Sequence, residues 1–257
     1  MAYIQERLKL IRAVLPRAFN TMVPGHLEVK RMSPEQEPGA PAAYGGAGSI
    51  DGKIPGKFWI NLRTTDLHSK YSLPDLASHE AIPGHVWQGE YANKLPLIRT
   101  MLAFNAYSEG WALYAEQLAG ELGVYASDQL GRAGFLQSFL FRAARLVVDT
   151  GLHAKRWSRE KATDYMVATT GFARPRSQRE VERYCTMIGQ ACSYKVGHRA
   201  WVDARTDAQK TVGPKFDIKQ FHEVLREGAM PLSILQRRIR ERTAAPAGNE
   251  ARVAERA

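Results

Sequence analysis

No run of eighteen apolar residues occurs in the sequence, which excludes a membrane-spanning helix. Residues 1–15 lack the pattern of a secretory signal, because Glu6, Arg7, Lys9 and Arg12 interrupt their apolar positions. Cysteine is scarce. The two present, Cys185 and Cys192, lie seven residues apart on what reads as one helix. Their Cα atoms would stand about 10 Å apart, too far for a disulfide, so they are expected to be packing residues and diagnose no compartment. Acidic residues are in deficit, 26 against 36 basic, for a net charge of +10. That imbalance invites a nucleic-acid partner. The basic residues, however, are spread along the predicted helices, densest at Arg174–Arg183 and Arg237–Arg242, with no nucleic-acid fold signature. Acidic substrates or a solvated basic face fit better, and no nucleic-acid partner is expected.

What is present is ordinary for a globular chain: 257 residues, 44% hydrophobic, with enough length for a sizeable core. Residues 3–14 read as a helix with Ile4, Leu8, Ile11 and Leu15 on one face, ended by Pro16. LEVKRM (27–32) and KFWINL (57–62) read as extended, and the Pro- and Gly-rich stretch 33–53 as loop. The second strand is expected either to be scaffolding or to form the sheet edge on which a peptide pairs. From Pro74 onward the signals are helical. Residues 75–93 form one helix, and Pro96 opens another to about Leu122. Ser127 and Ser158 cap the next two, and SQRE (177–180) opens a helix reaching Arg205. Asp217 caps FDIKQFHEVLREG, and a basic helix starts at Pro231. No repeat and no domain boundary after residue 54 is evident. The expectation is a mainly α fold with a small β element, one domain over 1–242, and a disordered tail over 243–257.

Two stretches carry chemistry. SHEAIPGHVWQ (78–88) offers the imidazoles of His79 and His85, with the Glu80 carboxylate beside one of them. YSEGWALYAEQ (107–117) offers Glu109 and Glu116, whose spacing stacks them on one helix face. Two imidazole nitrogens and one carboxylate oxygen around an open position are the ligands of a catalytic zinc ion, and a glutamate next to the first histidine is where a metalloprotease keeps its base. Regular zinc-protease helices space their histidines at i and i+4. Here the second comes at i+6, about 120° off on an ideal helix. Pro83 cannot donate to the His79 carbonyl and Gly84 tolerates distortion, so a bulge there would swing His85 back. Without it the two histidines are unrelated surface residues. On their own, Glu109 and Glu116 read rather as an acidic stripe facing water, and only their pairing with His79, Glu80 and His85 reverses that reading.

On the predicted 177–205 helix, Arg183, Gln190 and Tyr194 share one stripe. This face could bind a peptide's carbonyls or its terminal carboxylate, with Tyr194 donating to an oxyanion, or it could be an ordinary solvated face. Arg145 and Asp149 read as an i,i+4 ion pair, and His153 as structural.

HEAIPGH followed by YSEGWALYAEQL resembles the bacterial family known as domain of unknown function 885 (DUF885), placed with the zincin-like metallopeptidases. The resemblance continues through RAARLVVDTGLH (142–153), EVERY (180–184), GQACSYKVG (189–197) and FDIKQFH (216–222), to about residue 240. The family's first motif usually ends GHH; here Val86 stands in place of the second of those histidines. Members are typically about twice as long, and this chain resembles their C-terminal half. The resemblance implies a largely helical, zincin-like metallopeptidase with Zn²⁺ held by His79, His85 and Glu109, Glu80 as base, and a peptide as substrate. It adds Lys195 as a substrate-binding and His222 as a catalytic candidate. The alternative is a degenerate, non-catalytic half that binds a peptide or partner. The length leaves room for an N-terminal half elsewhere or for an oligomer.

Overall fold

The computed structural model describes residues 1–24, 26–63 and 68–244, so the tail expected to be disordered lies outside the described residues from 245 onward. Helix α1 (Ala2–Val14) buries Ile4, Leu8 and Ile11 and gives way to a short tight turn at Pro16, as its apolar spacing predicts. Three short strands follow: β1 (Leu27–Arg31), β2 (Ala43–Gly46) and β3 (Gly56–Ile60). Their order is β1-β3-β2, with β3 parallel to β1 and antiparallel to β2. The expectation for this region is therefore corrected twice. β3 is the central strand, its Phe58 and Ile60 buried, while β2, from the stretch read as loop, forms an edge.

The helical part begins with α2 (Leu73–Glu80) and α3 (His85–Ala92). These are two helices rather than one bulged helix. The turn between them contains a cis Ile82–Pro83 peptide, and Pro83 ends the first hydrogen-bond ladder. The short α4 (Leu97–Met101) precedes α5 (Asn105–Glu121). The 27-residue α6 (Gln129–Lys155) is capped by Asp128, which accepts from the Gly131 N–H, in place of the expected Ser127. Ser158 caps α7 (Arg159–Thr170) as expected. The predicted 177–205 helix is two helices: α8 (Arg174–Thr186) starts earlier, with Pro175 in its first turn, and α9 (Gln190–Val212) follows a left-handed Gly189 at φ 79°. Cys185 and Cys192 are free thiols on these separate helices, and Cys185 is exposed, so it is not a packing residue. Asp217 caps α10 (Ile218–His222), and α11 (Leu232–Ala244) is the last described helix. No helix among the described residues is long and apolar enough to cross a membrane.

Among the described residues, α5 and α9 pack against each other more extensively than any other two helices and cross at Gly110 and Gly197. A Cβ on Gly197 would collide with the Ala106 carbonyl, and one on Gly110 with the Gly197 backbone. The main core joins α1, the sheet, α2, α3, α5, α9 and the C-terminal helices around Trp87, Trp111 and Trp201. A smaller core of Phe141, Val148, Met166, Val181 and Tyr184 holds α6, α7 and α8 together.

Candidate metal centre

The turn at residues 81–84 places two histidines on facing helix ends. His79 lies in the last turn of α2 and His85 is the first residue of α3. Gly84 permits this closeness: any Cβ there would overlap the His79 carbonyl. The Trp111 indole N–H donates to the Pro83 carbonyl at 2.8 Å, fastening the turn to α5, which also carries Glu109. The two imidazole rings stand edge to face, their centroids 4.9 Å apart.

His79 Nε2 and His85 Nε2 lie 3.4 Å and 3.3 Å from the same oxygen, Glu109 Oε2. That oxygen is buried and takes part in no hydrogen bond. Three possible ligand atoms thus converge, two imidazole nitrogens on one carboxylate oxygen, and among the described residues they form the one such group of three. Burial would push Glu109 up, but the two imidazoles hold it well below the usual carboxylate range. Burial would push His79 down, yet Glu109 and Glu116 hold it well above the ordinary histidine value.

Glu116 sits on the other side of the same ring, accepting from His79 Nδ1 at 2.6 Å. The seven-residue spacing of Glu109 and Glu116 therefore brackets His79 with two carboxylates, and neither faces water as a stripe. Glu116 thus fixes Nδ1 as a donor and the ring plane with it, and Nε2 is the atom aimed at the shared point. Behind Glu116 lies Asp75. Burial, then the Glu116 charge, holds the Asp75 carboxyl well above the usual carboxylate range, while the His79 bond holds Glu116 low against the burial that would raise it. The sequence signal for Asp75 is its i,i+4 relation to His79.

Glu80 accepts from the Gly45 N–H of β2 at 2.7 Å through Oε2. Val86, at the place of the family's second histidine, is fully buried against β3, its Cγ1 close to Gly56.

Tyr194 is buried and stacks on His79, ring centroids 5.9 Å apart. Although α8 and α9 are separate, the expected triplet still meets. The Arg183 guanidinium donates to Gln190 Oε1 at 2.9 Å, and Gln190 Nε2 donates to Glu109 Oε1 at 3.4 Å and to the Tyr194 oxygen at 3.3 Å. This is a hydrogen-bonded wall, not a solvated face. Two other candidates fall elsewhere. His222 is in the main core, Nδ1 donating to the Ala18 carbonyl and Nε2 bonded to the Tyr114 hydroxyl, with burial depressing it to about 3. Both nitrogens are used, so it is a core residue and takes no part at the centre. Lys195 lies over the Phe139 ring and within 3.3 Å of His198, on the α6 side, and no bond ties it to the three donors. Arg145 does not pair with Asp149. It bonds Glu180 and the Tyr184 hydroxyl, whereas Asp149 accepts from the Gly189 N–H. His153 bonds the Tyr184 carbonyl, a structural role as expected.

A family model described as "Bacterial protein of unknown function (DUF885)" matches residues 1–239. No curated protein matches the chain. Among solved structures, the chain is similar to "the putative lipoprotein from Colwellia psychrerythraea", with 42% identity, a TM-score of 0.89, and coverage of 93% of this chain and 42% of that one. It is also similar to a structure from Shewanella oneidensis described as a "putative lipoprotein of unknown function", with 25% identity, a TM-score of 0.73, and coverage of 92% and 44%. The chain therefore spans less than half the length of either structure.

Proposed function

The chain belongs to the DUF885 family of bacterial proteins, and on that premise we propose that it is a zinc-dependent metallopeptidase of zincin-like architecture. One observation carries this reading: the buried Glu109 Oε2 that accepts no hydrogen bond yet stands between the Nε2 atoms of His79 and His85. Two neutral nitrogens and one carboxylate oxygen suit zinc, whose tetrahedral donors lie roughly 3.4 Å apart for bonds of about 2.1 Å. The observed separations of 3.3 and 3.4 Å fit that spacing. When bound, zinc supplies Lewis-acid polarisation of a scissile carbonyl and lowers the pKa of a water molecule.

The chain's own residues supply the remainder. Glu80 has one oxygen fixed by Gly45 and keeps the other to take a proton from the attacking water and return it to the leaving amine. The Tyr194 oxygen accepts from Gln190, which leaves its own O–H free to donate to a developing oxyanion. Glu116 keeps Nδ1 of His79 protonated and its ring oriented.

The test is metal content and hydrolysis on the same preparations. Purified protein should hold about one zinc ion per chain, as a three-ligand catalytic site implies. His79→Ala should lose the metal, while Glu80→Gln should keep it and lose nearly all cleavage of a peptide mixture. Zinc retained without any hydrolysis by the unaltered chain would favour the non-catalytic peptide-binding half. No bound zinc would end the reading.

A further inference from the structure

The wall beside the three donors carries more positive charge than it needs for folding. From α6, the guanidinium groups of Arg142 and Arg145 lie 5.0 and 4.6 Å from the Tyr194 ring centroid, and 5.2 and 4.3 Å from that of Phe141. From α8, Arg176 stands 5.8 Å from the Phe141 centroid, and Arg183 bonds Gln190. A single carboxylate, Glu180, sits among them, 2.8 Å from Arg145 and 3.7 Å from Arg183. Glu116 comes within 3.9 Å of Arg142, but its nearer oxygen is committed to His79 at 2.6 Å.

Arg142 Nε and Arg145 Nη1 are buried without a hydrogen-bond partner, and Arg145 as a whole is only 3% exposed. A buried charged donor left unpaired costs about 1–3 kcal/mol or more. Aromatic faces hold these cations in place without neutralising them. An arginine cluster built only for packing would bring a carboxylate for each pair. This one leaves Arg142 Nε and Arg145 Nη1 unpaired beside Tyr194, whose ring stacks on His79. Planar guanidinium matches a planar carboxylate in two parallel hydrogen bonds.

We propose that this cluster anchors a carboxylate of the peptide substrate, with Arg183 and Arg142 touching it and Arg145 fixed behind them by Glu180. Arg183 and Arg142 are the accessible pair of the three, their side chains 30% and 13% exposed against 4% for Arg145. The inference rests on the peptidase reading and gives it a substrate class: peptides bearing a carboxylate close to the bond cleaved. That carboxylate is either the chain terminus or an acidic side chain.

The experiment is calorimetric binding to the full chain, both zinc-loaded and stripped with chelator, so that a carboxylate cannot bind merely through the metal. Three peptides serve as probes: trialanine as the free acid, trialanine amide, and an amide of the same length with one glutamate. The free acid is expected to bind at least about tenfold tighter than trialanine amide in both forms, an increment typical of a charge-assisted pair. Arg183→Gln and Arg142→Gln should each cut that preference without changing zinc content, and Arg183→Lys should restore part of it. If the glutamate amide matches the free acid, the anchor accepts a side-chain carboxylate as well as a terminal one; if it binds no better than trialanine amide, the anchor takes the terminal carboxylate. Equal binding of all three peptides, no binding of any, or a preference that survives both glutamine substitutions in folded protein overturns the proposal. Failure of the zinc reading is separately visible, as unaltered protein that takes up no zinc yet keeps the carboxylate preference.

Discussion

His79 shows how much one side chain can be made to do by its neighbours. Its Nδ1 is held by Glu116 at 2.6 Å, its Nε2 faces Glu109, and Tyr194 lies flat against its ring. Each contact constrains a different degree of freedom: tautomer, direction of the lone pair, and ring plane. Removing the first should therefore loosen the metal without removing a ligand. Glu116→Gln is expected to weaken zinc affinity about 10–100-fold, the range seen when an outer partner of a ligating histidine is altered. Competition with a chromogenic chelator measures it, and unchanged affinity would deny Glu116 the orienting role. Tyr194→Phe keeps the stacked ring and deletes one donor. On the proposed mechanism turnover falls about 10²–10³-fold with little change in KM. Steady-state kinetics on one peptide separates the two, and a loss below tenfold would remove Tyr194 from the chemistry.

Elements decide whether such residues meet at all. α5 carries Glu109, Trp111 and Glu116, and α9 carries Gln190 and Tyr194, so the α5–α9 crossing sets the spacing of the site. That crossing depends on Gly110 and Gly197, where added Cβ atoms would enter the opposing backbone. Gly197→Ala must push the helices apart, at an overpacking cost of about 1–3 kcal/mol. Thermal melting should show the destabilisation, and zinc content should fall with it because Glu109 moves away from His79. A variant as stable and as metal-rich as the parent would show that the crossing is more yielding than its contacts imply. The same scale explains what could be read from residues alone. His79, His85 and Glu109 were legible because zinc chemistry dictates residue type, and because Pro83–Gly84 marks the only place where i+6 spacing can close. How it closes was not, since a bulge and a helix break leave the same trace in sequence. The 177–205 segment was misread as one helix because Gly189 is an unremarkable residue in sequence and only its left-handed φ of 79° marks the break. β2 escaped notice because AYGG has neither alternation nor β-branching; it is a strand through pairing with β3. Arg145 read as the local partner of Asp149, whereas its bonds to Glu180 and Tyr184 and its place over the Tyr194 ring are tertiary contacts that residue spacing along α6 does not reveal.

At the scale of the molecule, the helical scaffold keeps several ionisable groups out of water, and this ties its stability to pH. His222 is fully enclosed by Phe19, Trp111, Tyr114 and Phe221, and burial depresses it to about 3. His198 is depressed to about 4 by burial, with Lys195 adding to the effect. Both lie below the ordinary histidine value of about 6.5. Above that pH neither form of the chain binds a proton at these positions, and they make no contribution to pH dependence. As pH falls below about 6.5 the unfolded chain takes up protons that the folded chain refuses, so stability drops with falling pH. The loss is about 1.4 kcal/mol per pH unit for each group, continuing for His198 to about pH 4 and for His222 to about pH 3. Between pH 6.5 and 5 the pair should therefore remove several kcal/mol, a large part of a typical folding free energy of about 5–15 kcal/mol. Urea titrations across that window check the slope on chelator-stripped protein, where proton competition at His79 and His85 for a metal does not intrude. His198→Gln keeps a polar side chain facing Gln117 and removes the titration; it should flatten the slope by about half. A slope unchanged by that substitution, or stability that rises as the solution is acidified through pH 6, would mean that these histidines are already protonated in the folded chain.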